Sequence, residues 1–202
     1  MGFTLVEMMV VMTIFGVTLT AVSDIFVRAQ RSARKTSAYE KLQQDMRFIM
    51  NRITSDVRNG SIDYSFYVGA NAIDSVNGND ALAVINSEGK HLVYKASITE
   101  DDCGALSTPC MMITEVNNGI TARERLSSDG VRVKQKEGGD TIARFYITPS
   151  VNPFVPDGNG TYLSNQQPRV TTVISATSKI KSVADPAAIS LQSTATTREY
   201  RR

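Results

Sequence analysis

The apolar run at the N-terminus limits most strongly how this chain can fold. Residues 3–27 read FTLVEMMVVMTIFGVTLTAVSDIFV, and the only formal charges among them are Glu7 and Asp24. A helix needs about 20 apolar residues to cross the hydrocarbon core of a bilayer, so this segment is long enough to span a membrane. A charged side chain at the middle of a spanning helix costs about 2.5–3.5 kcal/mol on insertion scales. The carboxylate of Glu7 therefore requires a partner.

The sequence also predicts that this helix continues well beyond the apolar run. Neither Pro nor Gly occurs between Val17 and Asn59. In residues 39–57 the large apolar side chains recur at steps of three and four, which is the spacing of one helical face. We predict one nearly continuous helix from Phe3 to about Arg58, roughly 80 Å long, with a stop at Asn59-Gly60. The predicted apolar face consists of Tyr39, Leu42, Met46, Ile49, Met50, Ile53 and Val57.

After Gly60 the sequence changes to short β-branched or aromatic runs separated by Gly, Asn and Asp, which is typical of strands. Because no long helix separates these runs, we expect antiparallel sheet. The EGGD tetrad at 137–140 indicates a hairpin turn, and Ser150–Pro168 indicates a long loop. The predicted strands are IDYSFYV, ALAVIN, HLVYKAS, MMITEV, GITARERL, GVRVKQK, TIARFYIT, RVTTVISATS and AAISLQSTATTREY.

These patterns together predict an α+β fold in which a long N-terminal helix packs on antiparallel β-sheet. We divide the chain into a membrane half of the helix at 3–27, an amphipathic half at 28–59 and a β-rich globular domain at 60–202. The composition is 42% hydrophobic and 21% charged with a net charge of +2. That balance argues against disorder and against nucleic acid as a partner.

Two features give conflicting indications of the compartment. Four basic residues follow the apolar run, and the positive-inside rule taken alone would keep the rest of the chain in the cytoplasm; they are Arg28, Arg31, Arg34 and Lys35. Cys103 and Cys110 flank the short loop GALSTP and can close as a disulfide in an oxidising compartment, or remain two unpaired thiols. A cleaved secretory signal is disfavoured because no basic residue precedes the run.

The sequence offers little for catalysis or ligand binding. It contains no G-x-S-x-G, P-loop or H-E-x-x-H motif, and His91 is its single histidine. We expect His91 to be a surface residue of a strand, and we predict neither enzymatic activity nor a cofactor. The acidic segments Thr99–Asp102 and Asp74–Asp80 can offer oxygens to Ca²⁺ but lack EF-hand spacing, so solvated loops are the preferred interpretation.

The N-terminus resembles the class III signal of type IV pilins and type II secretion pseudopilins. In that family a Gly precedes the cleavage point, the next residue is usually Phe, and a Glu stands four residues beyond it. Gly2, Phe3 and Glu7 occupy these positions. The resemblance implies a pilin-like fold. It also implies that a prepilin peptidase cuts between Gly2 and Phe3 and N-methylates Phe3, and that Glu7 pairs with the new amine of a neighbouring subunit.

The resemblance also implies the location and the partners. The partners are other pilins or pseudopilins, the peptidase, an inner-membrane assembly platform, and membrane lipid before assembly. The location is the bacterial inner membrane, crossed once, with the globular domain outside the cytoplasm, and afterwards the filament. Family leaders are basic, whereas only residues 1–2 stand here as a residual leader. We expect the true start to lie upstream or the sequence to be clipped; a minimal leader is the alternative.

Further segments resemble minor members of the family, the J-type pseudopilin or the W-type minor pilin. These segments are QQDMRFIMNRITSDVRNG, LSSDGVRV with ARFYITPS, and the C-terminal QPRVTTVISA with AAISLQSTATTREYRR. We therefore predict a minor subunit that helps to initiate or cap a filament. The alternative is a tip adhesin or a DNA-capture subunit of a competence-type filament. That function would use a basic surface of Arg123, Arg125, Arg132, Lys134 and Lys136, which Glu124 and Glu137 can instead balance.

Overall fold

The computed structural model describes residues 4–104, 109–117, 120–134, 142–178 and 186–198. The first element is a single helix, α1, which runs without interruption from Leu5 to Asn59. Its 55 residues correspond to about 80 Å. The predicted long helix is confirmed, and it ends where the Asn59-Gly60 pair indicated.

Gly60 ends α1 because the chain passes close to a neighbouring strand there. A Cβ atom built on Gly60 would lie 2.3 Å from the carbonyl oxygen of Ile85 and 2.8 Å from that of Asp56. Both contacts are with backbone, which cannot move aside as the end of a flexible side chain can. The missing side chain thus lets the helix end abut the sheet.

The two halves of α1 have different surroundings. Every residue from Thr4 to Ser37 is exposed, whereas the second half buries one stripe. The stripe contains six of the seven residues predicted for the apolar face; Tyr39 is 43% exposed, and Ala38 takes its place. The reason is helical geometry, since Ala38, Leu42 and Met46 are spaced by four and share one face, whereas Tyr39 is turned about 100° away. The buried residues are Ala38, Leu42, Met46, Ile49, Met50, Ile53 and Val57.

Five strands form the first sheet, in which each strand is antiparallel to the one before it along the chain. A one-turn helix, α2, at Glu100–Cys103 connects the third strand to the fourth. The strands are β1 (Ser61–Ile62), β2 (Ala81–Ile85), β3 (His91–Ser97), β4 (Cys110–Asn117) and β5 (Ile120–Arg125). The last four confirm the strands predicted there.

The second sheet is built around β8 (Arg169–Ser178). Strand β9 (Ala188–Thr196) pairs with nearly the full length of β8 along one edge. Strands β6 (Val131–Val133) and β7 (Ala143–Thr148) lie end to end along the other edge, because β6 pairs with residues 176–178 and β7 with residues 169–174. All pairs are antiparallel, as predicted. The long loop predicted after β7 is also found, between β7 and β8.

One strand prediction is wrong, and one turn prediction lies outside the described residues. The EGGD tetrad falls in that second class; on either side of it β6 and β7 both pair with β8, and the Ile142 backbone N–H donates to the Lys134 carbonyl at 2.6 Å. The run IDYSFYV contributes only Ile62 to the two-residue strand β1 and then forms a 3₁₀ turn at Tyr64–Phe66, and a second turn follows it at Gly69–Asn71. Asp63 causes the change, since its carboxylate accepts hydrogen bonds from the backbone and hydroxyl of Ser65.

One continuous hydrophobic core joins the helix to both sheets. The buried stripe of α1 packs mainly on β8 and β9. The first sheet is tied to the same helix by Tyr94, whose hydroxyl donates to the carboxylate of Asp56, a group that Arg52 Nε also reaches at 3.0 Å. Burial, followed by the neighbouring carboxylate, raises the pKa of Tyr94 well above its usual range, so this hydroxyl keeps its proton.

The buried stripe predicts a sharp contrast between two substitutions in α1. Ile53 is 1% exposed and Phe48 is 59% exposed. We expect Ile53→Ala to lower the free energy of unfolding by about 2–5 kcal/mol, because it leaves a cavity. Phe48→Ala removes a larger side chain but should change the free energy of unfolding by less than about 0.5 kcal/mol. Urea unfolding of the full chain in detergent micelles, followed by tyrosine fluorescence, measures both; equal losses would contradict this packing.

Candidate assembly site at the N-terminus

The first turn of α1 is closed by a reciprocal pair of hydrogen bonds between Thr4 and Glu7. Thr4 has extended backbone angles and is the N-cap, and its hydroxyl accepts from the Glu7 backbone N–H at 3.3 Å. The Glu7 carboxylate accepts in return from the Thr4 backbone N–H at 3.4 Å. This is the capping box, which satisfies two of the free donors at a helix start. Thr4-Leu-Val-Glu7 fits the S/T-x-x-E signature, a signal that our sequence analysis missed.

The capping box gives Glu7 a partner in its own chain, but only a partial one. A carboxylate has about four acceptor positions, and the described residues fill one of them, with a long bond. The positive end of the helix dipole adds a further small stabilisation. The Thr4 N–H is neutral and the helix end carries only a partial charge, so no described residue supplies a full positive charge to the Glu7 carboxylate.

The other polar groups of the apolar half are satisfied within the helix. Four hydroxyls donate to backbone carbonyls three or four residues earlier; they belong to Thr13, Thr18, Thr20 and Ser23. Asp24 forms an ion pair with Arg28, at 2.9 Å between Oδ2 and Nη2. Among residues 4–27, Glu7 is therefore the charged side chain that lacks an oppositely charged partner.

The surface around Glu7 is apolar on every side. In the part of α1 that precedes Ala38 the structure buries no residue, and the exposed side chains include Leu5, Met12 and Phe15 at 77%, 69% and 61% exposure. By length and composition, α1 can cross a membrane. A contiguous apolar surface of this size indicates contact with lipid or with other proteins.

The fold and this segment together define a pilin-like architecture, in which a long helix with an exposed apolar N-terminal half packs against antiparallel sheets. The family model described as the prokaryotic N-terminal methylation motif matches residues 2–23. The chain thus carries the signal of type IV pilins and pseudopilins, a family of structural proteins that are not enzymes. No curated protein matches the chain, and no solved structure matches it either.

The matched segment contains the three residues that the resemblance singled out. Glu7 lies at the start of α1, in its first turn. Gly2 and Phe3 lie outside the described residues, so cleavage between them stays a prediction. The motif implies processing by a prepilin peptidase, assembly with other pilins and an anchor in the inner membrane.

Cys103 and Cys110 are joined by a disulfide, with an S–S distance of 2.07 Å and a Cα–Cα distance of 5.5 Å. The bond connects the end of α2 to the start of β4, and both residues are buried. Arg125 holds the same corner, because its Nη1 donates to the Cys103 carbonyl at 2.9 Å and to Asp129 at 2.5 Å. The disulfide thus closes the connection between β3 and β4.

The acidic segments considered for Ca²⁺ use their carboxylates in local turns. Asp74 accepts from the backbone N–H groups of Val76 and Asn77 at 2.8 and 2.9 Å, and these bonds hold the pKa of its carboxyl below the usual range. Asp102 accepts from the hydroxyls of Ser97 and Thr99 at 2.7 and 2.8 Å. In the described ranges no group of three His, Cys, Asp or Glu side chains is placed to hold a metal ion.

The basic surface proposed for DNA capture is divided between the two sheets. Arg123 and Arg125 lie on β5, and Arg132 lies on β6 with Lys134 one residue beyond it; Lys136 is outside the described residues. Arg123 reaches Asp102 at 3.5 Å, and Arg125 is paired with Asp129 as above. Both arginines of β5 thus have acidic neighbours, which weakens the surface as a phosphate site.

His91 is the first residue of β3, the central strand of the first sheet. Its ring is 47% exposed, and its Nδ1 lies 2.6 Å from the carboxylate of Asp63. A partly exposed strand residue paired with one acid needs no catalytic role.

Asp102 predicts a dependence of stability on pH. Hydrogen bonds from Ser97 and then Thr99 hold the pKa of its carboxyl below the ordinary value, so the charged form favours the folded state. The contribution is complete above the unfolded pKa of about 3.9 and disappears as the pH falls through the lower folded pKa. We expect Asp102→Asn to remove this part of the acid destabilisation between about pH 5 and pH 2. Asp101→Asn, an exposed change one residue away, is the control.

Urea unfolding at a series of pH values measures the effect on the full chain. Asp102→Asn should be less stable than the parent near neutral pH and should lose less stability on acidification. If Asp101→Asn and Asp102→Asn show the same pH profile, the hydroxyl bonds to Asp102 do not contribute as the geometry indicates.

Proposed function

We propose that this protein is a minor pilin or pseudopilin that helps to initiate or cap the assembly of a type IV pilus or a type II secretion pseudopilus. The observation that carries the proposal is the uncompensated carboxylate of Glu7, set in an exposed apolar helix that begins with the methylation motif. The minor role rests on the resemblance of residues 43–60 and of the late strands to the J-type and W-type subunits.

Residues 3–27 form the membrane half in this proposal. They lie in the bilayer before assembly and in the filament core afterwards, and the exposed apolar side chains of α1 support both environments. Residues 28–59 leave the membrane, and the β-rich domain from residue 60 onward faces outward. The disulfide fits an oxidising compartment outside the cytoplasm.

Processing supplies the cation that Glu7 lacks. While the Gly2–Phe3 peptide bond is intact, the nitrogen of Phe3 is a neutral amide. Hydrolysis frees it as an amine, and an α-amino group has a pKa of about 8, so it carries a positive charge at neutral pH. One methyl group added by the peptidase leaves a basic nitrogen that still accepts a proton. The processed chain then carries both an acid and a base at one end, and in this proposal both lie in the membrane or the filament core.

The pair selects the register of one helix against another. A carboxylate in a low-dielectric environment is costly alone and is tolerated when it meets a cation. Phe3 and Glu7 are only four residues apart in the chain, so the amine of one subunit meets Glu7 of its neighbour within a narrow range of axial offsets. A neighbouring helix that is displaced along the axis would leave both charges unpaired. Glu7 of one subunit therefore fixes the axial position of the amine of the next.

The processing prediction is tested by intact mass. The chain, with the reading frame that precedes it, is expressed with and without a prepilin peptidase and recovered from the membrane. We expect the peptidase to yield a chain that starts at Phe3 and carries one added methyl group. Gly2→Val should block this change, because a branched side chain then precedes the cleaved bond. An unchanged start, or a start beyond the apolar run, would remove the basis of the proposal.

The role of Glu7 is tested by three variants that separate its charge from its hydrogen bond. Glu7→Gln removes the charge but keeps an oxygen that can accept from Thr4, since the capping box tolerates Gln. Thr4→Val removes the cap hydroxyl but keeps the charge. Glu7→Val removes both. We expect all three to insert in the membrane, and only the two Glu7 variants to lose co-purification with partner pilins.

The outcome distinguishes two explanations of Glu7. If Glu7→Gln co-purifies like the parent while Thr4→Val does not, the carboxylate serves the helix start and not the contact between subunits. If all three variants behave like the parent, the N-terminal turn takes no part in assembly. Membrane fractionation of each variant shows whether a loss reflects insertion.

A further inference from the structure

The segment of α1 between the apolar run and the buried stripe carries a compact set of basic side chains. We define the basic sector as Arg28, Arg31, Arg34 and Lys35. No acidic residue occurs from Ile25 to Tyr39. The four charges exceed the chain's formal net charge of +2, so the rest of the chain is net acidic. An anionic surface would attract the chain chiefly through this segment.

These side chains lie on one side of the helix. At about 100° per residue, the four positions fall within roughly 120° of the helix circumference. Arg31 is three residues from Arg28 and from Arg34 and four residues from Lys35. Pairs of like charge at these spacings weaken a helix. Among the described residues, Arg31 and Arg34 form no ion pair, whereas Arg28 is held by Asp24. The charges of Arg31 and Arg34 are therefore not balanced by an acidic side chain of the described residues.

The basic sector faces the same way as the globular domain. The buried stripe from Ala38 to Val57 spans a sector of about the same width, and the two sectors overlap by roughly 80° of the circumference. The position of Lys35 agrees, because it borders a groove together with Pro186, Ala187 and Ala188 at the start of β9. The basic side chains thus lie on the side of α1 that faces the domain, and Lys35 lies next to the start of β9.

The height of the basic sector matches the polar layer of a bilayer. From Val27 to Ala38 the helix rises about 16 Å, and the four residues occupy the lower two thirds of that distance. A headgroup layer is about 5–8 Å thick on each side of the hydrocarbon. Arginine side chains are long and can reach back along the helix toward that layer. Arg28 and Arg31 fall within it, and Arg34 and Lys35 within one Debye length of its edge.

We propose that the basic sector binds the anionic headgroups of phospholipids in the leaflet from which α1 emerges. Resting on the proposed membrane location of residues 3–27, this contact holds the domain close above the bilayer before assembly. The basic side chains are exposed, so headgroups can reach them. Because they stand at the height of the headgroup layer, lipid is in contact with them before any partner subunit docks, and it fits this surface better than an acidic partner protein does.

The test measures lipid selectivity of the full chain reconstituted in phosphatidylcholine vesicles. Trace spin-labelled phosphatidylglycerol and spin-labelled phosphatidylcholine report how strongly each lipid is restrained at the protein. We expect the parent chain to select phosphatidylglycerol. The double variant Arg31→Gln/Arg34→Gln should lower that preference by up to about fivefold for each charge removed. High salt should lower the preference of the parent in the same direction.

A matched control removes the same charge farther along the helix. Lys41→Gln/Arg47→Gln changes two exposed basic residues that lie about 20 and 30 Å beyond Val27, more than a Debye length from the headgroups. We expect this variant to keep the preference of the parent chain. An equal loss in both double variants would show a general charge effect and would overturn the assignment.

Other outcomes separate this inference from the proposed function. If both spin labels are restrained equally by the parent chain, it lies in the bilayer but does not select anionic lipid, and only this inference fails. If neither label is restrained, the chain is not in the bilayer, and the membrane location fails as well. If Arg31→Gln/Arg34→Gln keeps lipid selectivity but loses cross-linking between chains, the sector binds protein and the inference is wrong.

Discussion

The burial of one stripe of α1 against β8 and β9 is the contact on which the rest of the structure depends. It converts half of a long helix into the core of a domain, and it leaves the other half with no protein around it. An isolated helix gains little from propensity alone, so the buried stripe is what fixes the second half. The first half instead needs an environment that accepts apolar side chains all round. One helix therefore requires two environments, and the chain cannot supply the second.

The polar groups of α1 follow this division. In the exposed half, hydroxyls bond to the helix backbone and Asp24 is paired with Arg28. Few polar groups of this segment would therefore lack a partner in an apolar environment. Glu7 departs from this pattern, because the capping box meets one acceptor position and leaves the charge. In the domain, by contrast, the Asp56 carboxylate accepts from the hydroxyl of Tyr94 and from Arg52, whose guanidinium supplies a full positive charge. The contrast supports the proposal that a neighbouring subunit supplies the cation for Glu7.

Sequence patterns predicted the elements that depend on periodicity and missed those that depend on particular side chains. The long helix and most of the strands were predictable, because burial determines their patterns directly. Apolar residues recur every three or four positions along the buried face of the helix, and short β-branched runs mark the strands. IDYSFYV failed because Asp63 captures the backbone of Ser65, and its aromatic residues then reach separate places: Tyr64 donates to the Pro149 carbonyl and Tyr67 to that of Ala81. The pairing of β6 and β7 with β8, a strand far along the chain, was likewise beyond any local pattern.

The functional segment shows the same limits. The position of Glu7 in an apolar run was enough to predict a site. The run did not reveal that the Thr4 backbone N–H already donates to this carboxylate. The basic residues assigned to one DNA-binding surface proved to lie on two sheets, which no local pattern could show. The basic sector of α1 is the converse case. Its residues were visible from the sequence as a conflict over topology, and only the direction of the buried stripe shows that they share the domain's side of the helix. If anionic headgroups neutralise that sector, basic residues outside the cytoplasm are consistent with a domain that faces outward, and the conflict disappears.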